Sequence, residues 1–313
     1  MLLSCILACE AVGLGSRGVS GEASALIGRW DLTFKTDTVS YPSWFEIVRE
    51  GDTLRGRFQG RYGHATPLAD ITVETSRFRF RWPSQSDPVA RPAEIEGRLV
   101  APNAIEGTMI GSADRAPTPF IGARAPALDR PNVSRWDPPL DLLVDGLEGW
   151  APRASEQPNG WSFEGGVLMN TPPSVDLVTR RSFDDFQLHL EVNVPPNGNS
   201  GIYLRGRYEI QVQDDYGKEP HSRRMGGVYG QVTPTALPAK PPGEWQSFDI
   251  TLIGRIVTVM LNGTAIIRAK EIPGITGGAL DSDEGAAGPI MLQGDHTAVR
   301  YRNIHLRAAV RAP

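Results

Sequence analysis

The stretch Phe186-Gln187-Leu188-His189-Leu190-Glu191-Val192-Asn193-Val194 alternates apolar and polar side chains without a break. A period of two puts Leu188, Leu190, Val192 and Val194 on one face of an extended chain and Gln187, His189, Glu191 and Asn193 on the other. That is a strand with one buried face. Downstream, Ile202 to Arg205, Tyr208 to Gln213, Phe248 to Ile253, Ile256 to Leu261 and Ala298 to Leu306 extend the series. Asn262-Gly263 is a strong hairpin turn between Val257–Leu261 and Thr264–Ile267. No long 3.6-residue period appears, so helices are expected to be short or absent. Two packed antiparallel sheets follow from this spacing.

Upstream, from Ile27, the pattern is also β. Arg29 to Phe34, Trp44 to Val48 and Thr53 to Phe58 alternate, with Gly51-Asp52 as a turn between the latter two. Further strands are expected at Asp70 to Val73, Arg77 to Trp82, Ala93 to Val100, Ala104 to Ile110 and Phe120 to Ala123. Such close spacing predicts a small antiparallel barrel or sandwich. Between Arg124 and Pro139 the chain is dense in proline and has no period, which marks an extended linker. The organisation read from sequence is therefore a signal-like or lipoprotein-type segment over 1–25, an accessory β domain over 26–124, a Pro-rich linker over 125–139 and a jelly roll over 140–307.

Composition narrows the function. The 313 residues carry 32 Lys and Arg against 36 Asp and Glu, interspersed, with a formal net charge of -4. This is no footprint for nucleic acid, and a neutral carbohydrate fits better. After residue 12 no apolar run approaches the roughly 20 residues needed to span a bilayer. Met1 to Gly13 is apolar and leads into a Gly/Ser-rich stretch, resembling a secretory signal without its basic n-region, as expected if the true start codon lies elsewhere. Both cysteines lie there, and Ile6-Leu7-Ala8-Cys9 resembles a lipobox, so the expected location is secreted, periplasmic or on the cell surface, with a lipid anchor as the one membrane contact. The alternative is an ordinary cleaved signal. A body without cysteine has no disulfide framework, thiol nucleophile or Cys-ligated zinc.

Several signals occur in order over roughly Leu140 to Arg307. They are Leu177-Val178-Thr179-Arg180 with Phe183-Asp184-Asp185-Phe186, Asn199-Ser200-Gly201-Ile202-Tyr203-Leu204-Arg205, and Tyr208-Glu209-Ile210-Gln211-Val212-Gln213-Asp214. Gly227-Val228-Tyr229-Gly230, Gly243-Glu244-Trp245-Gln246, Leu261-Asn262-Gly263, Gly288-Pro289-Ile290-Met291-Leu292-Gln293-Gly294-Asp295-His296 and Tyr301-Arg302-Asn303-Ile304 follow. This series resembles the 3-keto-disaccharide hydrolase domain, formerly a domain of unknown function. The resemblance implies an all-β chain with a C-terminal concanavalin A-like jelly-roll sandwich. It also implies cleavage of glycosides oxidised at C3 of a glucosyl unit, either by hydrolysis or by β-elimination. A separate sugar 3-dehydrogenase would be the pathway partner, since no strand, Gly-rich loop and helix unit for a nucleotide appears here. Gly28-Arg29-Trp30 resembles the first strand of lipocalin-like barrels, with Trp30 as a core plug.

Within the jelly roll, strand parity sends Glu209, Gln211 and Gln213 to one face and Tyr208, Ile210 and Val212 to the other. Laminarinase-like glycosidases of similar fold carry acids along such a strand, and here Gln211 and Gln213 stand in their place. A retaining double displacement needs two carboxyls about 5 Å apart, whereas elimination needs one base. Glu209 is the candidate general base or metal ligand, and its bland alternative is a buried salt bridge to Arg205 or Arg207. His296 is a candidate proton shuttle or else a loop histidine. Arg205, expected on the same strand face as Tyr203, is a candidate for polarising the C3 carbonyl. Tyr203, Gln211, Gln213, Asn199 and Tyr229 are candidate substrate contacts, and Trp245 a candidate stacking ring. No cofactor is called for with certainty; a divalent metal on oxygen ligands from Asp214, Asp215 or Glu209 is left open. His64 and His221 read as loop histidines. The competing functions are a non-catalytic, lectin-like carbohydrate-binding module and a conventional glycoside hydrolase.

Overall fold

A computed structural model describes residues 25–84, 91–111, 116–128, 130 and 133–311. The signal and lipobox readings, with Cys5 and Cys9, lie outside these residues. Strands β1 (Gly28–Lys35), β2 (Ser40–Glu50), β3 (Thr53–Gln59), β4 (Thr66–Pro67), β5 (Ala69–Glu74), β6 (Arg77–Trp82), β7 (Ala93–Ala101), β8 (Ala104–Ile110) and β9 (Thr118–Arg124) form one antiparallel sheet, ordered β4-β3-β2-β1-β9-β8-β7-β6-β5. It curls into a nearly closed barrel, where the Leu68 amide donates to the Gly56 carbonyl across the seam (2.9 Å). The alternating residues foreseen from sequence point inward: Trp30, Leu32, Phe34, Phe45, Ile47, Phe58, Phe78, Phe80 and Ile95 fill the interior. Closing a sheet on itself removes edges that would otherwise invite pairing.

The rest of the chain supplies β10 (Val133–Trp136), β11 (Leu140–Asp141), β12 (Trp150–Pro152), β13 (Trp161–Glu164), β14 (Val167–Asn170), β15 (Leu177–Thr179), β16 (Phe186–Asn193), β17 (Asn199–Leu204), β18 (Tyr208–Gln213), β19 (Trp245–Ile253), β20 (Ile256–Leu261), β21 (Thr264–Glu271), β22 (Met291–Leu292) and β23 (Val299–Arg311). A nine-stranded sheet runs β13-β14-β23-β16-β19-β20-β21, with β10 and β11 also paired to β23. A five-stranded sheet runs β12-β15-β22-β17-β18. The two pack face to face as a jelly-roll sandwich, and the fold is all-β as expected. Phe186, Leu188, Leu190 and Val192 from β16 meet Ile202, Leu204, Ile210 and Val212 from the smaller sheet in one core. One segment of the expected linker is itself a strand: β10 lies along β23, because its backbone groups find partners there.

The barrel and the sandwich share buried surface. Trp44 points out of the barrel, is fully buried and belongs to the sandwich core, with its indole N–H donating to the Ile275 carbonyl (2.8 Å). Nearby, Arg29 pairs with the buried Glu284, which also accepts the Tyr208 hydroxyl (2.7 Å). Burying such charges is tolerated only because they are paired and hydrogen-bonded.

Candidate active site

On β17 and β18 strand parity does the positioning. Ser200, Ile202 and Leu204 face the core, so Asn199, Gly201 and Tyr203 face outward; on the antiparallel neighbour, Glu209 lies opposite Tyr203 and Gln211 opposite Gly201. Asn199, Tyr203, Glu209 and Gln211 line a cavity of about 730 Å³ with Gln213, Tyr229, Gln293, Asp295 and His296. The volume falls within the ordinary range for ligand pockets. Seven of the candidate residues therefore gather in one place: Glu209, His296, Tyr203, Gln211, Gln213, Asn199 and Tyr229.

Glu209 is 5 % exposed. Burial pushes its carboxyl up to about 8, opposed by hydrogen bonding with Tyr203 and by the positive charge of His296. It makes no salt bridge with Arg205 or Arg207: Arg207 pairs with Asp281 (2.7 Å) instead. The Tyr203 hydroxyl also reaches the Gly277 carbonyl (2.9 Å), so its single proton is shared between that carbonyl and the Glu209 carboxylate. His296 is hydrogen-bonded through Nδ1 to Asp295, and that bond is the main reason its imidazolium form is favoured above the usual histidine range. Glu209, whose protonated form burial favours, thus shares the cavity with a histidine whose protonated form Asp295 favours.

The surrounding amides are arranged for polar recognition. Gln211 Nε2 donates to Asn199 Oδ1 and to Gln213 Oε1, each at 2.9 Å. Gln211 Oε1 and Gln293 Oε1 are buried without a hydrogen-bond partner among the described residues. Buried amide oxygens left open in a cavity are acceptors for ligand hydroxyls.

Arg205 is a correction. The strand ends at Leu204, and Arg205 and Gly206 form a tight turn with φ of 52° and 67°, closed by the Arg207 amide on the Leu204 carbonyl (3.0 Å). This tight turn, in the three-residue connection from β17 to β18, rotates the side chain off the Tyr203 face. Arg205 is fully buried against the Gly254 carbonyl (2.6 Å) and the Tyr208 hydroxyl (3.3 Å), away from the cavity. Trp245 is also misplaced by the sequence reading, because it packs under Arg302 (4.1 Å) on the outer face of the larger sheet. Asp215, offered as a metal ligand, accepts the Met225 amide (2.9 Å) and pairs with Lys218 (3.1 Å). Asp214 accepts the Asn197 amide (2.9 Å). Among the described residues, no group of three His, Cys, Asp or Glu is disposed to hold a metal ion.

Sequence reasoning missed several contributors. Asp176 and Arg153 line the cavity as a pair (3.0 Å), and Arg153 also donates to the Gly278 carbonyl (2.8 Å). Asp295 was seen only as a neighbour, although its contact with His296 sets the histidine's charge. His221, read as a solvated loop residue, stands at the cavity wall, and Tyr62 with Gly63 reaches it from the barrel. Only Asp295 had a local signal, its adjacency to His296.

A family model described as a 3-keto-alpha-glucoside-1,2-lyase-like domain matches residues 141–307. No curated protein matches the chain. Among solved structures, a candidate glycosyl hydrolase from Parabacteroides distasonis is 30% identical with a TM-score of 0.46, covering 57% of this chain and 93% of its own. A second from the same organism is 24% identical with a TM-score of 0.42, covering 55% and 100%. A Trypanosoma rangeli sialidase is 8% identical with a TM-score of 0.32, covering 90% and 64%. Because the family model spans more than half of the residues and contains every strand of the cavity floor, this chain belongs to the 3-keto-alpha-glucoside-1,2-lyase-like domain family.

Proposed function

We propose that the protein cleaves glycosides whose glucosyl unit is oxidised at C3, and that Glu209 is the base. Family membership supports action on a glycosidic bond. The observation that carries the finer reading is one buried carboxylate, raised to about 8, on a cavity floor shared with His296. A C3 ketone acidifies the C2 hydrogen. Glu209 takes that proton, the electron pair is held as an enolate through C2, C3 and O3, and its collapse breaks the C1–O bond. The departing oxygen receives a proton from His296, whose pKa is raised for that role. The product is a C1=C2 enone, and water adding at C1 would complete a hydrolysis.

The remaining acids support this division of labour. Asp176 is held by Arg153 and by the Gly294 amide (3.1 Å), and Asp295 is held by His296, so neither is free to serve as a nucleophile. A separate oxidoreductase would supply the ketone. The test compares a 3-keto-glucoside, its C2-deuterated form and the unoxidised glucoside. Slower turnover or solvent exchange of the deuterium is expected, with the unoxidised sugar inert; rapid cleavage of the unoxidised sugar would overturn the mechanism.

A further inference from the structure

We propose that the N-terminal barrel completes this cavity, and that Tyr62 is the platform on which the ring of the departing group stacks. This rests on reading the cavity as a glycoside-cleaving site. Tyr62 and Gly63, in the connection from β3 to β4, line the cavity together with Tyr203 and Glu209. The matched family segment begins only at residue 141, so this wall is an addition to it.

The connection is held from both sides. From the barrel side the buried Gln59, opposite Trp44 and on the same outward face, donates to the Gly60 carbonyl (2.9 Å) and the Gly63 carbonyl (3.3 Å). On the sandwich side the Gly278 amide donates to the Arg61 carbonyl (2.9 Å). Gly277 approaches so closely that a Cβ there would lie 2.5 Å from the Gly63 carbonyl oxygen. The carbonyl of that same Gly277 accepts the Tyr203 hydroxyl beside Glu209. Trp44, buried at the junction on β2 opposite Gln59, ties the start of this connection to the sandwich by donating to the Ile275 carbonyl. The barrel therefore presents Tyr62 to the cavity on a fixed backbone.

The ring itself is prepared for stacking. Arg61 lies 5.0 Å from the Tyr62 ring centroid and 5.5 Å from that of Tyr41, bracing the ring, while Tyr62 remains 65% exposed. An exposed aromatic at the rim of a polar cavity offers a flat π face to the C–H face of a pyranose or to an arene. Glu209 and Tyr203 are buried on the floor, so a reacting sugar seated there must direct its C1 substituent toward the open side, where Tyr62 stands.

The test is calorimetric titration of the full chain with two unoxidised ligands, methyl glucoside and a glucosyl disaccharide, which measures the platform without chemistry. Wild type is expected to prefer the disaccharide; Tyr62→Ala should weaken disaccharide binding about three- to tenfold and collapse that preference, while Tyr62→Phe preserves it. On a 3-keto-disaccharide, Tyr62→Ala should raise KM more than it lowers kcat. A preference that survives in Tyr62→Ala, or is missing in wild type, overturns the platform. A protein that cleaves keto-sugars but keeps its preference in Tyr62→Ala loses only the platform. One that cleaves none, yet loses its preference in Tyr62→Ala, keeps the platform and loses the chemistry.

Discussion

Gly201 makes room for Glu209: a Cβ built on Gly201 would lie 2.6 Å from Oε1 of the carboxylate, 3.0 Å from its Cγ and 3.2 Å from its Cδ. The glycine sits two residue pairs along the ladder from Glu209, opposite Gln211, and its missing side chain is the space the carboxylate occupies.

Gly201→Ala should therefore displace the Glu209 carboxylate without breaking the sheet, since extended backbone accepts alanine. A misplacement on the order of 1 Å costs about a hundredfold in rate. The expected result is a loss of that order in kcat/KM on a 3-keto-glucoside with an unchanged circular dichroism spectrum. Full activity would show that Glu209 need not stand where it does.

Because burial raises Glu209 to about 8, a base at this position is mostly protonated at neutral pH. The kcat/KM profile should rise with pH as Glu209 loses its proton near 8 and fall again where His296 loses its own, since kcat/KM reports the free enzyme. Glu209→Gln keeps the shape and removes the basic oxygen. Turnover should fall at least a hundredfold across the whole profile, and a variant with wild-type kcat would exclude this base.

Asp295 holds the proton on His296. Asp295→Asn removes the largest cause of the raised histidine pKa, so the descending alkaline limb of kcat/KM should move to lower pH. Nuclear magnetic resonance titration of the His296 ring should report the same direction. An unmoved limb would deny His296 its role as proton donor.

Asp31, 7 % exposed between barrel and sandwich, is raised to about 8 by burial and then by the charge of Glu284. The native state holds this proton where the unfolded chain has lost it. Stability from this group is therefore fully present below about 4 and falls as pH rises toward about 8, with Glu209 adding the same sign. Urea midpoints should decline across that window, and Asp31→Asn should flatten the decline; a midpoint that climbs with pH would contradict the assignment.

What the sequence determined by itself was whatever depends on a repeat of two residues. Alternation in β16 and β18 settles which side chains enter the core, and so places Glu209, Gln211 and Gln213 on the outer face before any coordinate is known. The barrel strands from Gly28 to Arg124 were legible for the same reason, and the ordered motifs pointed to the family. Tertiary structure alone decided what depends on residues distant in the chain. Arg205 turned inward because a tight turn with two successive positive φ values broke the parity, a signal present in Arg205-Gly206 yet overridden by the apolar run before it. The pairing of Arg153 with Asp176, the arrival of Tyr62 from the barrel and the elevated pKa of Glu209 have no period and no local motif. They arise from desolvation and proximity, which exist only once the sheets have packed and water has left the floor of the cavity.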